Sequence, residues 1–155
     1  MATPSVDRVE LLEGIAPQTF AAIEREVFPV PWHASSFVTG AAYLGWSLKQ
    51  GAQALGFLYV QKVLDEAEII RIAVLPEHQR RGFAKRLWLG LIDHARCRDL
   101  TRVFLEVAVG NRPARVFYES LGFQVSGVRP DYYGSGEDAL TMHWCATGKD
   151  GVQSI

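Results

Sequence analysis

The stretch EIIRIAVLPEHQRRGFAKRLWLGLIDHA, residues 68–95, contains the change of pattern that decides the fold. Its first part is an apolar run that predicts a strand, and its last part repeats apolar residues every three or four positions, as a helix packed on a sheet does. Between them lies QRRGFA, with Gly82 at the junction. A glycine there can simply turn the chain. Because the start of a helix leaves backbone N–H groups unpaired, it can also bring amides close to an anion.

The rest of the chain alternates between patterns typical of strands and of helices. Apolar residues at every second position predict strands, and apolar residues at three- and four-residue intervals predict helices. In chain order the predicted elements are the strand VDRVELL, the helix PQTFAAIEREVF, a short helical turn near Ser35 or Ser36, the strands LGWSLKQ, ALGFLYVQKV and EIIRIAVL, the helix after Gly82, the strand TRVFLEVAV, the helix NRPARVFYESLGF, and the strands FQVSGVR and DALTMHW. This order predicts an α+β domain of three layers.

Length and composition limit the class of protein. At 155 residues, with 48% hydrophobic and 21% charged residues, the chain fits one soluble globular domain with a substantial core. We expect this domain to span residues 1–145 and residues 146–155 to form a mobile tail, because the tail has little to bury. The formal net charge of −1 provides no basic field for nucleic acid, so any phosphate must be bound by local geometry.

Cysteines and histidines give no sign of a metal centre. Cys97 and Cys145 lie far apart without a CxxC spacing, and the four histidines are scattered along the chain. We therefore expect two reduced thiols and no metal. The N-terminal residues lack the apolar segment of a signal peptide, and no apolar run approaches the roughly 20 residues of a membrane helix. These features predict a cytoplasmic protein without a membrane partner.

Two motifs in the second half of the chain resemble those of a known family. Q-x-x-G-x-A spans Gln79 to Ala84, and N-x-x-A-x-x-x-Y-x-x-x-G-F runs from Asn111 to Phe123. Residues 68–144 are similar to the acetyl-CoA-dependent N-acetyltransferases of the GNAT superfamily. FLEVAVGN, YESLGF and GVRPDYYGSGEDALTMHW, with a Pro-Trp pair upstream, most resemble the bacterial RimI-type ribosomal-protein-alanine N-acetyltransferases. The resemblance implies a GNAT fold, with a mixed, mostly antiparallel sheet of about seven strands and about four helices.

The resemblance implies acetyl-CoA as the acetyl donor and gives QRRGFA a role. Backbone amides of this turn are expected to bind the pyrophosphate of the cofactor, and the residues concerned are Gln79, Arg80, Arg81, Gly82, Phe83, Ala84 and Lys85. Gly82 and Ala84 carry little or no side chain that would hold a phosphate away. The side chains of Arg80 and Arg81 are equally consistent with phosphate binding and with a solvated loop.

Two further segments are expected to contact the cofactor. The resemblance assigns contacts with the pantetheine arm to backbone groups of the strand before the turn, at Ile72, Ala73 and Val74. Asn111 precedes a helix that contains a proline near its start. It is expected to bind the cofactor through its side chain, to cap the helix, or to do both.

Glu106 and Tyr118 are the catalytic residues that the resemblance implies. In the alternation of VFLEVAV, Glu106 shares a face with Phe104 and Ala108, which predicts an apolar setting for its carboxylate. From the residues alone, Glu106 reads as an exposed side chain and Tyr118 as an ordinary core tyrosine. The resemblance makes Glu106 the general base, because only a neutral amine attacks a thioester. It makes Tyr118 a cofactor contact and the general acid for the departing coenzyme A thiolate.

Acceptor binding is expected on two loops. Pro31 and Trp32 follow the first helix, and Tyr132 and Tyr133 precede the last strand. These pairs resemble the loops that flank the peptide groove in protein N-terminal acetyltransferases. Aromatic residues at such places can wall a slot that admits an extended N-terminus, or they can cover the ends of a core.

Three functions remain open from the sequence. The leading one is acetylation of the N-terminal α-amine of a protein, with the alanine of a small-subunit ribosomal protein as acceptor. The second is the same chemistry on a lysine side chain or a small-molecule amine. The third is an acyl-CoA-binding module without turnover, which the retained Glu106 and Tyr118 disfavour. Ala108 and Gly110 stand where RimI-type proteins often carry arginine and serine, and this departure bears on acceptor specificity.

Overall fold

The computed structural model describes residues 8–134 and 136–146. Within these residues strands and helices follow one another nearly in the predicted order. The strands are β1 (Val9–Glu13), β2 (Tyr43–Gln50), β3 (Gln53–Val63), β4 (Glu66–Val74), β5 (Arg102–Ala108), β6 (Gln124–Arg129) and β7 (Ala139–Cys145). The α-helices are α1 (Pro17–Val27), α2 (Phe83–Asp93) and α3 (Arg112–Ser120), and three short 3-10 helices cover Ala34–Ser36, Pro76–His78 and Ala95–Cys97.

The strands form one mixed sheet in the order β1-β2-β3-β4-β5-β7-β6. The pairs β1–β2, β2–β3, β5–β7 and β6–β7 are antiparallel, and β4–β5 is parallel. A parallel pair requires a long crossover connection, which the segment containing α2 supplies. The sheet confirms the α+β prediction and its seven strands.

The short helical turn predicted after α1 is present as the 3-10 helix Ala34–Ser36. The described residues contain three α-helices, where the resemblance implied about four helices. His33 precedes this turn without a side-chain capping bond. Ser35 and Ser36, which are residue types that often cap helices, lie inside the turn and do not cap it.

Tertiary contacts divide the described residues into two compact units. The first contains the residues up to Gln61 together with Arg71–Arg98, and the second contains Lys62–Ile70 together with the residues from Asp99 onward. The single domain over residues 1–145 stays a prediction. Ala146 is buried and its N–H donates to the Thr101 carbonyl at 2.9 Å. Residues 147–155 of the predicted tail lie outside the described residues.

The core of the first unit is aromatic. Phe20 of α1 stacks on Phe57 of β3 with 4.5 Å between ring centroids, and Phe37 and Tyr59 approach these rings edge-on. All four side chains are buried. Burying a phenylalanine side chain contributes about 1.5–3 kcal/mol, so this cluster fixes α1 on the sheet.

In the second unit, β5 pairs with β7 along its whole length. Val103, Leu105 and Val107 of β5 are buried and alternate with residues that are at least partly accessible. Because side chains alternate between the two faces of a strand, Glu106 lies on the other face. Thr141 of β7 is its cross-strand partner.

Candidate active site

The turn from Gln79 to Lys85 has the backbone of an anion-binding turn. Gly82 has φ 81° and ψ 9°, and it precedes α2 without any side-chain capping bond. Arg80 also lies in the left-handed region, with φ 63°. Successive N–H groups in such conformations form concave sites for anions. The side-chain amide of Gln79 donates to the Val74 carbonyl at 3.0 Å and ties the turn to the end of β4.

The first turn of α2 leaves donors available for a ligand. The first helical bond runs from the Arg86 N–H to the Gly82 carbonyl, at 3.1 Å. The N–H groups of Phe83, Ala84 and Lys85 come before it and have no acceptor inside the helix. A Cβ built on Gly82 would meet no atom within 4 Å. The positive φ, rather than a lack of space, therefore favours glycine here, and the space in front of it is open.

The end of β4 offers backbone groups to a ligand. The parallel ladder to β5 covers only Glu66–Glu68, paired with Arg102–Phe104. Ile72, Ala73 and Val74 lie beyond this ladder. The backbone N–H and carbonyl groups that they direct toward β5 are therefore not hydrogen-bonded to that strand. An extended ligand that runs along a strand edge can pair with such groups.

Glu106 lies in a polar setting, and the expectation of an apolar one is wrong. Its side chain is 14% exposed, and its Oε1 accepts a bond from Arg129 Nη1 at 2.7 Å. Its Oε2 lies 3.5 Å from the Thr141 hydroxyl. The partner strands β7 and β6 supply these groups, so sheet pairing and not the sequence of β5 decides the surroundings of this carboxylate.

Glu68 is a second carboxylate on the same side of the sheet. It pairs in register with Phe104, which stands two residues before Glu106 and therefore on the same face. Partial burial raises the pKa of Glu68, the neighbouring Glu106 carboxylate raises it further, and Arg129 lowers it. Sequence reasoning missed both Glu68 and Arg129. The signal in the sequence was the alternation of Glu66 and Glu68 along β4. The register that places Glu68 beside Phe104 of β5 cannot be read from the sequence.

Arg129 connects the acidic pair to the predicted acceptor loop. Its Cζ lies 4.8 Å from the centroid of the Tyr132 ring, within the range of a cation–π contact. The hydrogen bond to Glu106 and the charge of that carboxylate raise the pKa of Arg129, so the guanidinium stays charged. One side chain thus contacts both the proposed base and an aromatic residue of the acceptor loop.

The Tyr132–Tyr133 loop has internal hydrogen bonds that fix its shape. Asp138 Oδ1 accepts the Asp131 N–H at 2.9 Å, and Asp131 Oδ1 accepts the Gly136 N–H at 2.7 Å. Tyr132 and Tyr133 are 47% and 45% exposed, and their rings pack edge-on with 4.9 Å between centroids. The charged residues of this loop therefore hold the tyrosines at the surface.

Tyr118 is the buried residue of α3, whereas Phe117 beside it is half-buried. Its ring lies between those of Phe117 and Phe123, at centroid distances of 5.3 and 5.7 Å. Burial raises the pKa of the Tyr118 phenol, and Tyr133 raises it further. Like any tyrosine, Tyr118 is a phenol at neutral pH and so has a proton to donate, as a general acid must.

Asn111 is the N-cap of α3. Its Oδ1 accepts the Ala114 N–H at 3.3 Å, and Pro113 lies within the first turn. This confirms the capping role, while the cofactor contact of Asn111 stays a prediction.

Pro31 and Trp32 lie in the loop after α1 and are half-buried. The Trp32 N–H donates to Glu24 Oε1 at 2.9 Å, and its ring packs 5.4 Å from that of Phe37. Arg80 and Arg81 are exposed. The predicted site residues therefore fall into two groups. The first unit holds the residues from positions 31–32 and 72–85, and the second holds Glu106, Asn111, Tyr118 and the tyrosine pair.

Other features of the described residues do not contribute to this site. Residues 8–134 and 136–146 contain no group of acids, histidines or cysteines that could hold a metal ion, and no helix among them is long and apolar enough to cross a membrane. A groove of about 410 Å³ in the first unit is lined by none of the predicted residues. Its lining consists of Leu11, Glu13, Trp46, Arg86, Leu89, Gly90, Asp93 and His94.

Comparison with known families identifies the fold. The sequence profile described as "Acetyltransferase (GNAT) family" matches residues 10–123, which is most of the chain. The chain belongs to the GNAT family. It is therefore an acetyltransferase by family, and the resemblance of its motifs is confirmed.

Individual relatives of this GNAT protein agree. The [ribosomal protein bS18]-alanine N-acetyltransferase of Escherichia coli K12 is 38% identical over 125 residues, covering 77% of this chain and 84% of the relative. The crystal structure of the ribosomal-protein-S18-alanine N-acetyltransferase from Escherichia coli matches with a TM-score of 0.83 and 32% identity, over 92% of this chain and 98% of that one. Arabidopsis thaliana NAA60 in complex with acetyl-CoA shares the fold, with a TM-score of 0.77 and 19% identity over 91% of this chain and all of that one.

Proposed function

We propose that this GNAT enzyme transfers the acetyl group of acetyl-CoA to the N-terminal α-amine of a protein, with the alanine of ribosomal protein bS18 as the leading acceptor. The Escherichia coli relatives of that name support the choice of acceptor. The observation in the structure that carries the proposal is the group formed by Glu68, Glu106 and Arg129 next to Tyr132.

The charge of this group favours a cationic acceptor. Two carboxylates and one guanidinium leave one negative charge without a compensating partner in the group. An α-ammonium group carries one positive charge near neutral pH and would balance it. Glu137 and Asp138 add negative charge to the adjoining loop. An acceptor with a basic N-terminal segment suits this surface better than an acidic one does.

The acidic group would also remove the proton that blocks the reaction. In the proposed step, one proton passes from the ammonium nitrogen to a carboxylate, either directly or through water, and leaves a neutral amine and a carboxylic acid. Glu106 is the proposed base. Glu68 is proposed to share this proton, because a raised pKa brings a carboxylate closer to the pKa of the amine.

Tyr118 is the proposed proton donor for the sulfur that leaves in the last step. Acetyl-CoA, when bound, supplies the acetyl thioester, and the amine nitrogen replaces the sulfur at the carbonyl carbon. The sulfur leaves with its electron pair and requires a proton. A tyrosine hydroxyl is protonated at neutral pH with its ordinary pKa, and burial raises the pKa of Tyr118 further. We propose that the Tyr118 hydroxyl donates this proton. The nitrogen, once bonded to the carbonyl carbon, must lose one further proton to become a neutral amide, and this proton would pass to the Tyr118 phenolate, directly or through water, and restore the phenol.

The uncapped start of α2 fits the phosphate end of the cofactor. The free N–H groups and the two left-handed residues, Arg80 and Gly82, support a pyrophosphate contact across positions 79–85. The backbone of positions 72–74 is proposed to bind the pantetheine arm, and Asn111 to add a side-chain contact. Pro31, Trp32, Tyr132 and Tyr133 are proposed to contact the acceptor.

The test uses acetyl-CoA with two peptides, whose products are followed by mass and by release of thiol. One peptide has the bS18 N-terminal sequence with a free alanine, and the other is blocked at its N-terminus but carries a lysine. We expect acetylation of the first peptide only. Acetylation of the blocked peptide alone would overturn the proposal in favour of a lysine acetyltransferase. A small-molecule acceptor would be indicated by turnover of simple amines with neither peptide modified.

A further inference from the structure

Glu24 of α1 has no solvent-exposed surface, and the proposed chemistry does not use it. Its Oε2 accepts a bond from Arg71 Nε at 2.9 Å, and its Oε1 accepts bonds from Arg71 Nη2 and from the Trp32 N–H. A buried charge is costly unless it is paired and hydrogen-bonded. The two-point bond to arginine meets this condition, and the third bond adds a backbone group of the predicted acceptor loop.

The guanidinium of Arg71 also lies against two aromatic rings of that loop. Its Cζ is 4.2 Å from the centroid of the Phe28 ring and 4.9 Å from that of Trp32. These two residues are the ends of the segment 28–32. A planar guanidinium can bind a carboxylate in two places and stack on rings at once, which a lysine ammonium cannot do.

The segment between these rings has few other means of being held. Pro29 and Pro31 have no N–H group, so the segment contributes fewer backbone donors than an ordinary loop of its length. Val30 is 83% exposed and adds little packing. Among the described residues, the contacts to Glu24 and Arg71 hold both ends of this loop, and the packing of the Trp32 ring on Phe37 adds to them at one end.

We propose that the Glu24–Arg71 pair is a specificity-determining clamp, which holds the loop Phe28–Trp32 in the conformation that binds an acceptor peptide. The proposal rests on the proposed function, since it assigns that loop to the acceptor. Glu24 and Arg71 act here as positioning residues. Arg71 directly precedes Ile72, so the clamp fastens the acceptor loop to the strand proposed to bind the pantetheine arm.

A clamp and a merely structural ion pair have different kinetic consequences. Loss of a structural pair lowers the amount of folded enzyme and leaves the KM of both substrates unchanged. Loss of a clamp loosens the loop in an enzyme that is still folded, so the KM for the peptide rises. The KM for acetyl-CoA stays nearly constant, because the β4 backbone is held by its own sheet hydrogen bonds.

Two variants separate these cases. The double variant Glu24→Leu with Arg71→Met removes both charges, so no unpaired charge remains in the interior to prevent folding. The variant Arg71→Lys keeps the charge but loses the two-point bond and most of the stacking. The control is Lys62→Met, which removes a different ion pair. Lys62 Nζ lies 3.3 Å from the carboxylate of Asp99, whose side chain is 63% exposed.

The experiment measures amide hydrogen exchange over residues 28–37 together with the KM of each substrate. In the double variant we expect loop exchange and peptide KM each to rise about tenfold, which corresponds to about 1.4 kcal/mol. We expect the KM for acetyl-CoA to change less than about twofold, and Arg71→Lys to give a smaller effect of the same kind. Lys62→Met should match the wild type.

Each other result has a distinct meaning. Unchanged loop exchange in the folded double variant would overturn the clamp itself. Faster exchange with unchanged peptide KM would overturn its role in specificity. If the wild-type enzyme does not acetylate the peptide, the proposed function fails and the assignment of this loop to that acceptor fails with it, while the exchange data still report whether the pair holds the loop.

Discussion

The carboxylate of Glu106 and the guanidinium of Arg129 lie 2.7 Å apart, and the same guanidinium covers the ring of Tyr132. The proposed general base is therefore not a free carboxylate. For an incoming ammonium group to bond to Glu106, it must share the carboxylate with Arg129 or replace it. Glu68 lies close enough for Glu106 to raise its pKa and for Arg129 to lower it, so the three charges interact.

Replacement of Glu106 by glutamine tests the base. The amide keeps the size of the side chain and cannot accept a proton, so we expect kcat for the peptide to fall about 10²–10⁴-fold, the usual contribution of general base catalysis. Acetyl-CoA binding, followed by calorimetry, should persist. Glu10→Gln, at an exposed position of β1, is the control and should keep full activity. A Glu106→Gln enzyme with near-normal kcat would remove this residue from the mechanism.

Arg129 should set the pH range of the enzyme. Because Arg129 lowers the pKa of Glu68, its replacement by methionine removes this effect and the pKa of Glu68 rises. The acid limb of the kcat/KM profile for the peptide should then move to higher pH. Arg129→Lys keeps a positive charge and should lie between methionine and the wild type. An acid limb at the same pH in all three enzymes would contradict the electrostatic coupling.

Glu68→Gln should make the protein more stable and less active. The pKa of Glu68 is raised above its ordinary 4.5, so the folded chain binds this proton more tightly than the unfolded chain does. Stability is therefore lost as the pH rises above that value. Since Glu68 is largely exposed, the gain in free energy of unfolding at pH 7 should be only about 0.5 kcal/mol.

The pH dependence provides the check on that prediction. Thermal unfolding of Glu68→Gln and the wild type should give a higher Tm for the variant at pH 7. The difference should disappear at a pH well below 4.5, where Glu68 is protonated in both states. The kcat/KM for the peptide should fall in the same variant. A Glu68→Gln enzyme that is less stable than the wild type at pH 7 would show that the carboxylate stabilises the fold.

The contrast between Asn111 and Arg129 explains how much the sequence could predict. Asn111 acts within four residues of its own position, so the cap was predictable from the local motif. The turn at Gly82 was likewise suggested by the junction between strand and helix. Arg129 contacts Glu106 from a strand 23 residues away, and Arg71 contacts Glu24 across 47 residues. Such pairs depend on strand order and register, which no local pattern specifies.

Tyr118→Phe tests the general acid. The ring fills the same space, so the packing against Phe117 and Phe123 should remain and the Tm should change little. Loss of the proton donor should lower kcat about 10²-fold or more, with acetyl-CoA affinity nearly unchanged. Tyr43→Phe on β2 is the control, because its ring also stacks on a neighbour, Tyr59, at 5.6 Å. Equal kcat in the Tyr118 and Tyr43 variants would exclude the proposed role.

Gly82→Ala, compared with a control, distinguishes backbone strain at position 82 from steric exclusion of the cofactor. A side chain at φ 81° is strained by about 1–2 kcal/mol, although the added methyl group meets no atom of the protein within 4 Å. Gly40→Ala is a matched control, because Gly40 also has a positive φ, 139°, and open space around it, but lies outside the proposed site. Both variants should lower the Tm. Only Gly82→Ala should also raise the KM for acetyl-CoA, by about tenfold, because its methyl group would occupy space proposed for the pyrophosphate. Equal KM values in the two variants would mean that Gly82 serves only to turn the chain into α2.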